Sequence, residues 1–207
     1  RPEDAGHAAA DALSAALGET FTTIARPLQP NSMLAPALRD IATDDVVVLW
    51  LRPADIATLG ALPAGVTRVY LSGRMGGLEH APLPGDWRNV TRVTYPVDLP
   101  ERRIVGMDRA LGWFRIRQVD VVDLQSQADT YLVCGIVSDA INHMVDTFVR
   151  DYLIERIEAM LEHSIVTGYY PRLALAPHQR FASKGGYVVH FAGPTGVRIV
   201  PDGEWIV

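Results

Sequence analysis

Residues 46–51, Val46-Val47-Val48-Leu49-Trp50-Leu51, form an apolar run that stops abruptly at Arg52 and Pro53. A strand that is apolar on both alternating faces suits burial between layers of helices, so the run predicts a strand of a parallel α/β sheet. The segments around it alternate in the same way. Residues 8–17 read as a helix, with Glu3 and Asp4 in its first turn and Gly18 as its stop. Residues 21–24, Phe-Thr-Thr-Ile, predict the first strand. Asn31 or Ser32 is placed to cap a helix through Leu34, Leu38 and Ile41, with Pro36 in its first turn. The 46–51 strand follows, then a helix over residues 54–62 entered from Pro53. A third strand at residues 68–71 runs directly into Ser72-Gly73-Arg74-Met75-Gly76-Gly77.

Beyond this β–α–β–α–β rhythm the pattern changes. Prolines and glycine break the periodicity between residues 81 and 100, except at 90–95, which alternates and predicts a fourth strand near an edge. Residues 102–117 are charged and ambiguous. Apolar positions then return at helical spacing in residues 128–144 (Tyr131, Cys134, Ile141, Met144) and 151–163 (Leu153, Ile157, Met160, Leu161), which predicts two helices of a mostly buried layer. The tail predicts a β-hairpin from Tyr187 to Val200, turning around residues 193–196, and one further short strand at residues 204–207. The predicted division is an α/β domain over residues 1–125, followed by return helices and a C-terminal β-hairpin over residues 126–207.

Composition narrows the class. With 207 residues, 48% hydrophobic and 21% charged, the chain has material for one substantial core or two small ones. A net charge of -5 with scattered Lys and Arg gives no electrostatic footprint for nucleic acid. The single cysteine, Cys134, allows no internal disulfide; in an apolar run with nothing basic beside it, it reads as a small core residue. No apolar run reaches the roughly 20 residues that span a bilayer.

Motifs of known chemistry are missing: a phosphate loop with its Lys-Ser/Thr, His-Glu-x-x-His and Gly-x-Ser-x-Gly do not occur. Residues 72–77 lack the glycine spacing of a dinucleotide loop, so their glycines read as a tight turn. The six histidines show no metal-ligand spacing, and Glu155, Glu158 and Glu162 read as the solvated face of their helix. No cofactor or metal is expected.

The order of elements, together with the segments Asp45 to Asp55, Val69 to Gly73, Ala128 to Gly135 and Tyr170 to Tyr187, resembles the carboxyl-terminal half of the type I periplasmic solute-binding proteins, the group of the branched-chain amino-acid receptors. The resemblance covers most of the chain. It implies a three-layer, Rossmann-like α/β lobe with a parallel sheet and a C-terminal β-hairpin. Such proteins hold two lobes that close on a small ligand, and this chain is expected to carry the second lobe and the return segment. A periplasmic location, a membrane transporter as partner, and a first lobe or homodimer partner covering residues 128–163 are likewise implied.

Binding positions carry over only at strand ends. Arg52 matches the family's ligand contact after one strand, and Arg74, beside Ser72 and Gly73, matches that after the next. The amino-acid receptors place an aromatic and an acid at these positions. Two guanidinium groups favour a carboxylate or other anion instead. The plain alternative is that both arginines pair with acids such as Asp55 or Glu79. The expected function is non-enzymatic: a solute receptor component binding a small polar or anionic ligand at Arg52, Ser72, Gly73 and Arg74. A receptor-like interaction or dimerisation module without ligand is the alternative, and an enzyme on an α/β scaffold ranks last.

Overall fold

The computed structural model describes residues 4–29, 34–144, 148–163, 168–175 and 181–207. They form helices α1 (Ala5–Leu17), α2 (Pro53–Ile56), α3 (Gly73–Gly76), α4 (Gly85–Val90), α5 (Pro100–Ile116), α6 (Leu124–Asn142) and α7 (Arg150–His163), with strands β1 (Val47–Leu49), β2 (Val69–Ser72), β3 (Thr91–Tyr95), β4 (Tyr187–Phe191) and β5 (Ile199–Pro201). The protein is α/β. It divides into two compact units, one of residues 1–95 and 187–206, the other of residues 96–186 with residue 207.

The first unit is built on a five-stranded sheet in the order β1-β2-β3-β4-β5. Its first half is parallel, with Val47 beside Val69 and Val69 beside Thr91. The second half is antiparallel, with Tyr95 beside Tyr187 and Phe191 beside Ile199. The terminal hairpin thus exists as expected, yet it completes the same sheet, which is therefore mixed. Alternation sorts the side chains: Leu49, Val69, Leu71, Val93, Tyr95, Tyr187, Val189, Phe191 and Ile199 are buried on one face. Tyr70, Ser72, Arg92, Val188, His190 and Val200 on the other face are only half-buried, and Thr94 is exposed. Ile56 of α2 and Trp87 of α4 are fully buried. Trp87 donates its indole N–H to the Gly60 carbonyl at 2.9 Å, and the Thr91 hydroxyl donates to the Trp87 carbonyl at 2.7 Å, so the polar atoms of this core are paired.

Several expectations are corrected. Residues 21–24 form no strand; Phe21 and Ile24 are 61% and 72% exposed, and β propensity without a neighbouring strand or a covering layer does not hold a strand in water. The 90–95 strand is not near an edge. As β3 it is the middle of five, because β4 returns from far along the sequence to pair with it, which local periodicity could not reveal. The helix expected at residues 54–62 is only the short α2. Of the helix drawn through Leu34, Leu38 and Ile41, a single 3-10 turn over Ala35–Leu38 forms, and the proposed caps Asn31 and Ser32 lie outside the described residues. At residues 204–207 there is an isolated bridge at Ile206 and no further strand.

The second unit is helical. The ambiguous stretch becomes α5, entered at Pro100, which lacks an N–H where a first turn needs none. Asp123 caps α6 by accepting from the Ser126 amide at 2.9 Å, while the Gln127 side-chain carbonyl accepts from the Val122 and Asp123 amides at 2.8 and 3.0 Å. Met107, Ala110 and Phe114 of α5 are buried, and Trp113, Phe114 and Tyr131 form a ring cluster with centroids 5.7–6.2 Å apart. The layer is less buried than expected. Only Ala128 and Ala140 of α6 are fully buried, and Cys134 is exposed rather than in the core.

Candidate functional site

The three parallel strands bring their carboxyl ends to one edge of the sheet, where ligands of open α/β folds gather. Ser72 is the last residue of β2 and precedes α3. Its neighbour Gly73 is buried, and a Cβ there would overlap the Thr94 carbonyl oxygen and crowd Val93 of β3. Only glycine lets the chain turn this close to the adjacent strand. At Gly77 the backbone reaches φ 95°, the left-handed region, and closes α3. The stretch expected to be a tight turn is therefore a one-turn helix ended by a left-handed glycine, which presents Arg74 at the edge. Arg74 is exposed and has no ion-pair partner among the described residues.

Arg52 stands at the same edge, following β1 and preceding α2. Its role differs. Nη2 lies 2.9 Å from Asp4 Oδ2, so the pair ties the start of α1 to the start of α2. Neither acid expected from the sequence, Asp55 or Glu79, is the partner. Desolvation pushes the Asp4 carboxyl up, but the Gly6 amide and the Arg52 charge outweigh it and hold the group below the ordinary carboxylate value. Among the sequence-chosen residues, Ser72, Gly73 and Arg74 are contiguous on one turn, and Arg52 follows the neighbouring parallel strand with its charge already engaged.

Sequence reasoning missed a buried acid at this edge. Glu79 is 4% exposed and sits in the 3-10 turn Leu78–His80; its Oε2 accepts from the Tyr95 hydroxyl at 2.5 Å. Oε1 lies 3.5 Å from His80 Nε2. The bond fastens the loop that follows Arg74 to the end of β3, so it supports the turn from behind. Nothing local in the sequence joins the two residues, since the contact depends on the β2–β3 register.

A second polar cluster lies on the half-buried face. Asp202 Oδ2 is 2.5 Å from Arg92 Nε, and Oδ1 is 2.5 Å from His190 Nδ1, so one carboxylate bridges the two side chains. Arg92 and His190 are cross-strand partners, so the β3–β4 register sets both distances. Elsewhere Arg88 donates to the carbonyls of Leu83, Gly196 and Ala81 at 3.1, 2.6 and 3.0 Å and stacks 4.3 Å over Phe191; burial pulls its pKa down. Among the described residues no group of three or more His, Cys, Asp or Glu side chains converges as a metal site would require.

No protein-family model matches this chain, and no curated protein or solved structure matches it.

Proposed function

We propose that the carboxyl edge of the parallel strands is one wall of a binding site for a small anionic or polar solute, in a non-enzymatic receptor of the type I periplasmic solute-binding kind. Under this reading the sheet belongs to a three-layer lobe, the ligand is held by lobe closure, the protein works in the periplasm, and a membrane transporter receives the solute. The observation that carries it is Arg74, an exposed guanidinium with no ion-pair partner among the described residues, on a turn that Gly73 and Gly77 make possible. Ser72 supplies a hydroxyl beside it. Arg52 acts with Asp4 to hold the neighbouring strand end, so Arg74 is the main anion contact and Arg52 the weaker one. The test is a thermal-shift screen of carboxylates and amino acids, followed by calorimetry on Arg74→Ala and Arg52→Ala. Loss of a desolvated anion contact at Arg74 should cost about 2–5 kcal/mol of binding. A ligand bound equally tightly by the parent and both variants removes this edge from the site.

A second reading has its own observation. Val133, Val137 and Ile141 recur along α6 and are 55%, 37% and 47% exposed, a stripe without charge. It supports an interaction or dimerisation module. A light-scattering series over protein concentration tests this reading on its own: a chain that stays monomeric throughout removes the stripe as a dimer interface.

A further inference from the structure

We propose that the half-buried face of the sheet carries a phosphate-binding site, in which Arg92 and His190, both held by Asp202, take the oxygens of a phosphate group, free or as a monoester. One cross-strand row crosses all five strands on this face, with Val48, Tyr70, Arg92, His190 and Val200 as successive neighbours. The row is polar only at its centre. At a strand spacing of about 4.8 Å, the three polar positions on β2, β3 and β4 span about 10 Å of sheet.

The hydrogen bonds these side chains make, and those they leave unmade, point to the ligand. Both oxygens of Asp202 are occupied, Oδ2 by Arg92 Nε and Oδ1 by His190 Nδ1, so each partner is fixed through a single nitrogen. Among the described residues Arg92 Nη1 and Nη2, His190 Nε2 and the Tyr70 hydroxyl have no hydrogen-bond partner. A guanidinium has only donors, so the two Nη groups call for acceptors. The side chains of Arg92 and His190 are 39% and 34% exposed, which leaves them open to a ligand from solvent.

A carboxylate offers two oxygens in one plane, which the fork of Arg92 alone would fill. A phosphate offers terminal oxygens in three directions, so it can accept from Arg92 and still turn an oxygen toward the adjoining strands, where His190 and Tyr70 stand. It also suits either state of the imidazole, because Nε2 donates when the ring is charged and accepts from a P–O–H when it is not. The site is distinct from the edge that carries Arg74. Arg92 is the second residue of β3, near its amino end, whereas Arg74 lies beyond the carboxyl end of the parallel strand β2.

The experiment titrates the parent chain with inorganic phosphate, phenyl phosphate and acetate at constant ionic strength and follows the His190 imidazole signals by NMR. Phosphate should move them saturably, and acetate should leave them in place. A shift with phosphate alone assigns the site to the free ion, and a shift with phenyl phosphate as well extends it to monoesters. Arg92→Gln should weaken phosphate binding by about tenfold or more, and Tyr70→Phe, which leaves the Asp202 bridge intact, by about threefold to tenfold. Arg74→Ala should bind phosphate as the parent does. The absence of a saturable shift in the parent overturns the proposal whether or not the variants fold, as does an equal response to acetate. Parent-like affinity in both Arg92→Gln and Tyr70→Phe overturns it too, and a response lost in Arg74→Ala moves the anion to the carboxyl edge and overturns it equally.

Discussion

Gly73 is the most constrained residue of the candidate site, because its lack of a side chain lets the turn carrying Arg74 rest on the backbone of β3. Gly73→Ala should destabilise the fold by about 1–3 kcal/mol, the range for forcing atoms into a packed site, and urea denaturation of the variant measures it. Arg88 is a different sort of anchor. Its guanidinium serves three carbonyls at once, a fork that lysine cannot reproduce. Arg88→Lys should therefore cost about 1–3 kcal/mol through carbonyls left without donors, and a variant as stable as the parent would show those bonds to be dispensable. Asp86 accepts from the Leu62 amide at 2.8 Å, and that bond, aided by its own and the Trp87 amide against a desolvation penalty, holds its carboxyl below the ordinary 3.8. A depressed folded-state pKa adds stability above the unfolded value, and that stability drains away as pH falls from there through the folded value. Thermal melts of the parent and Asp86→Asn between about pH 5 and pH 2 test the sign: the variant should lose less Tm on acidification.

At the scale of elements, α6 carries its uncharged stripe toward solvent while its buried contacts are the small Ala128 and Ala140. Val137→Glu should leave folding within about 0.5 kcal/mol of the parent, as surface substitutions do. If the stripe is an interface, the same change should turn an associating chain monomeric in light scattering and lower its binding of a hydrophobic dye. The existence of α6 and α7 was legible from apolar spacing alone. Their exposure was not, since spacing shows that one face is apolar and says nothing of what meets it. The start of α6 was misplaced for a local reason: the Asp123 cap and the Gln127 side chain extend the helix back to Leu124, across residues whose hydropathy pattern is silent.

The whole first unit depends on chain closure over a long distance. β3 sits in the middle of the sheet only because β4 and β5 return from beyond residue 186 to pair with it. A chain ending at residue 186 would leave Val93 and Tyr95 without the cover of Val189 and Tyr187, and should lose cooperative unfolding of the sheet in thermal and denaturant melts. A sharp, parent-like transition from that truncation would mean that the parallel strands and their helices suffice.

The alternation of buried strands with short helices, the periodic α6 and α7, the terminal hairpin and the place of Arg52 and Arg74 after strands are local properties, written in side-chain period and turn residues within a few positions of one another. Whether a strand pairs, and with what, is decided by neighbours distant in sequence. Residues 21–24 have strand composition and no partner, whereas β3 acquires two. Charge partners follow the same division. Asp4 reaches Arg52 across 48 positions and Tyr95 meets Glu79 across 16, contacts that exist because packed elements bring those side chains together. An ion pair or a buried hydrogen bond falls off within a few ångströms, so only the tertiary structure could decide that Arg52 was already engaged while Arg74 has no ion-pair partner among the described residues.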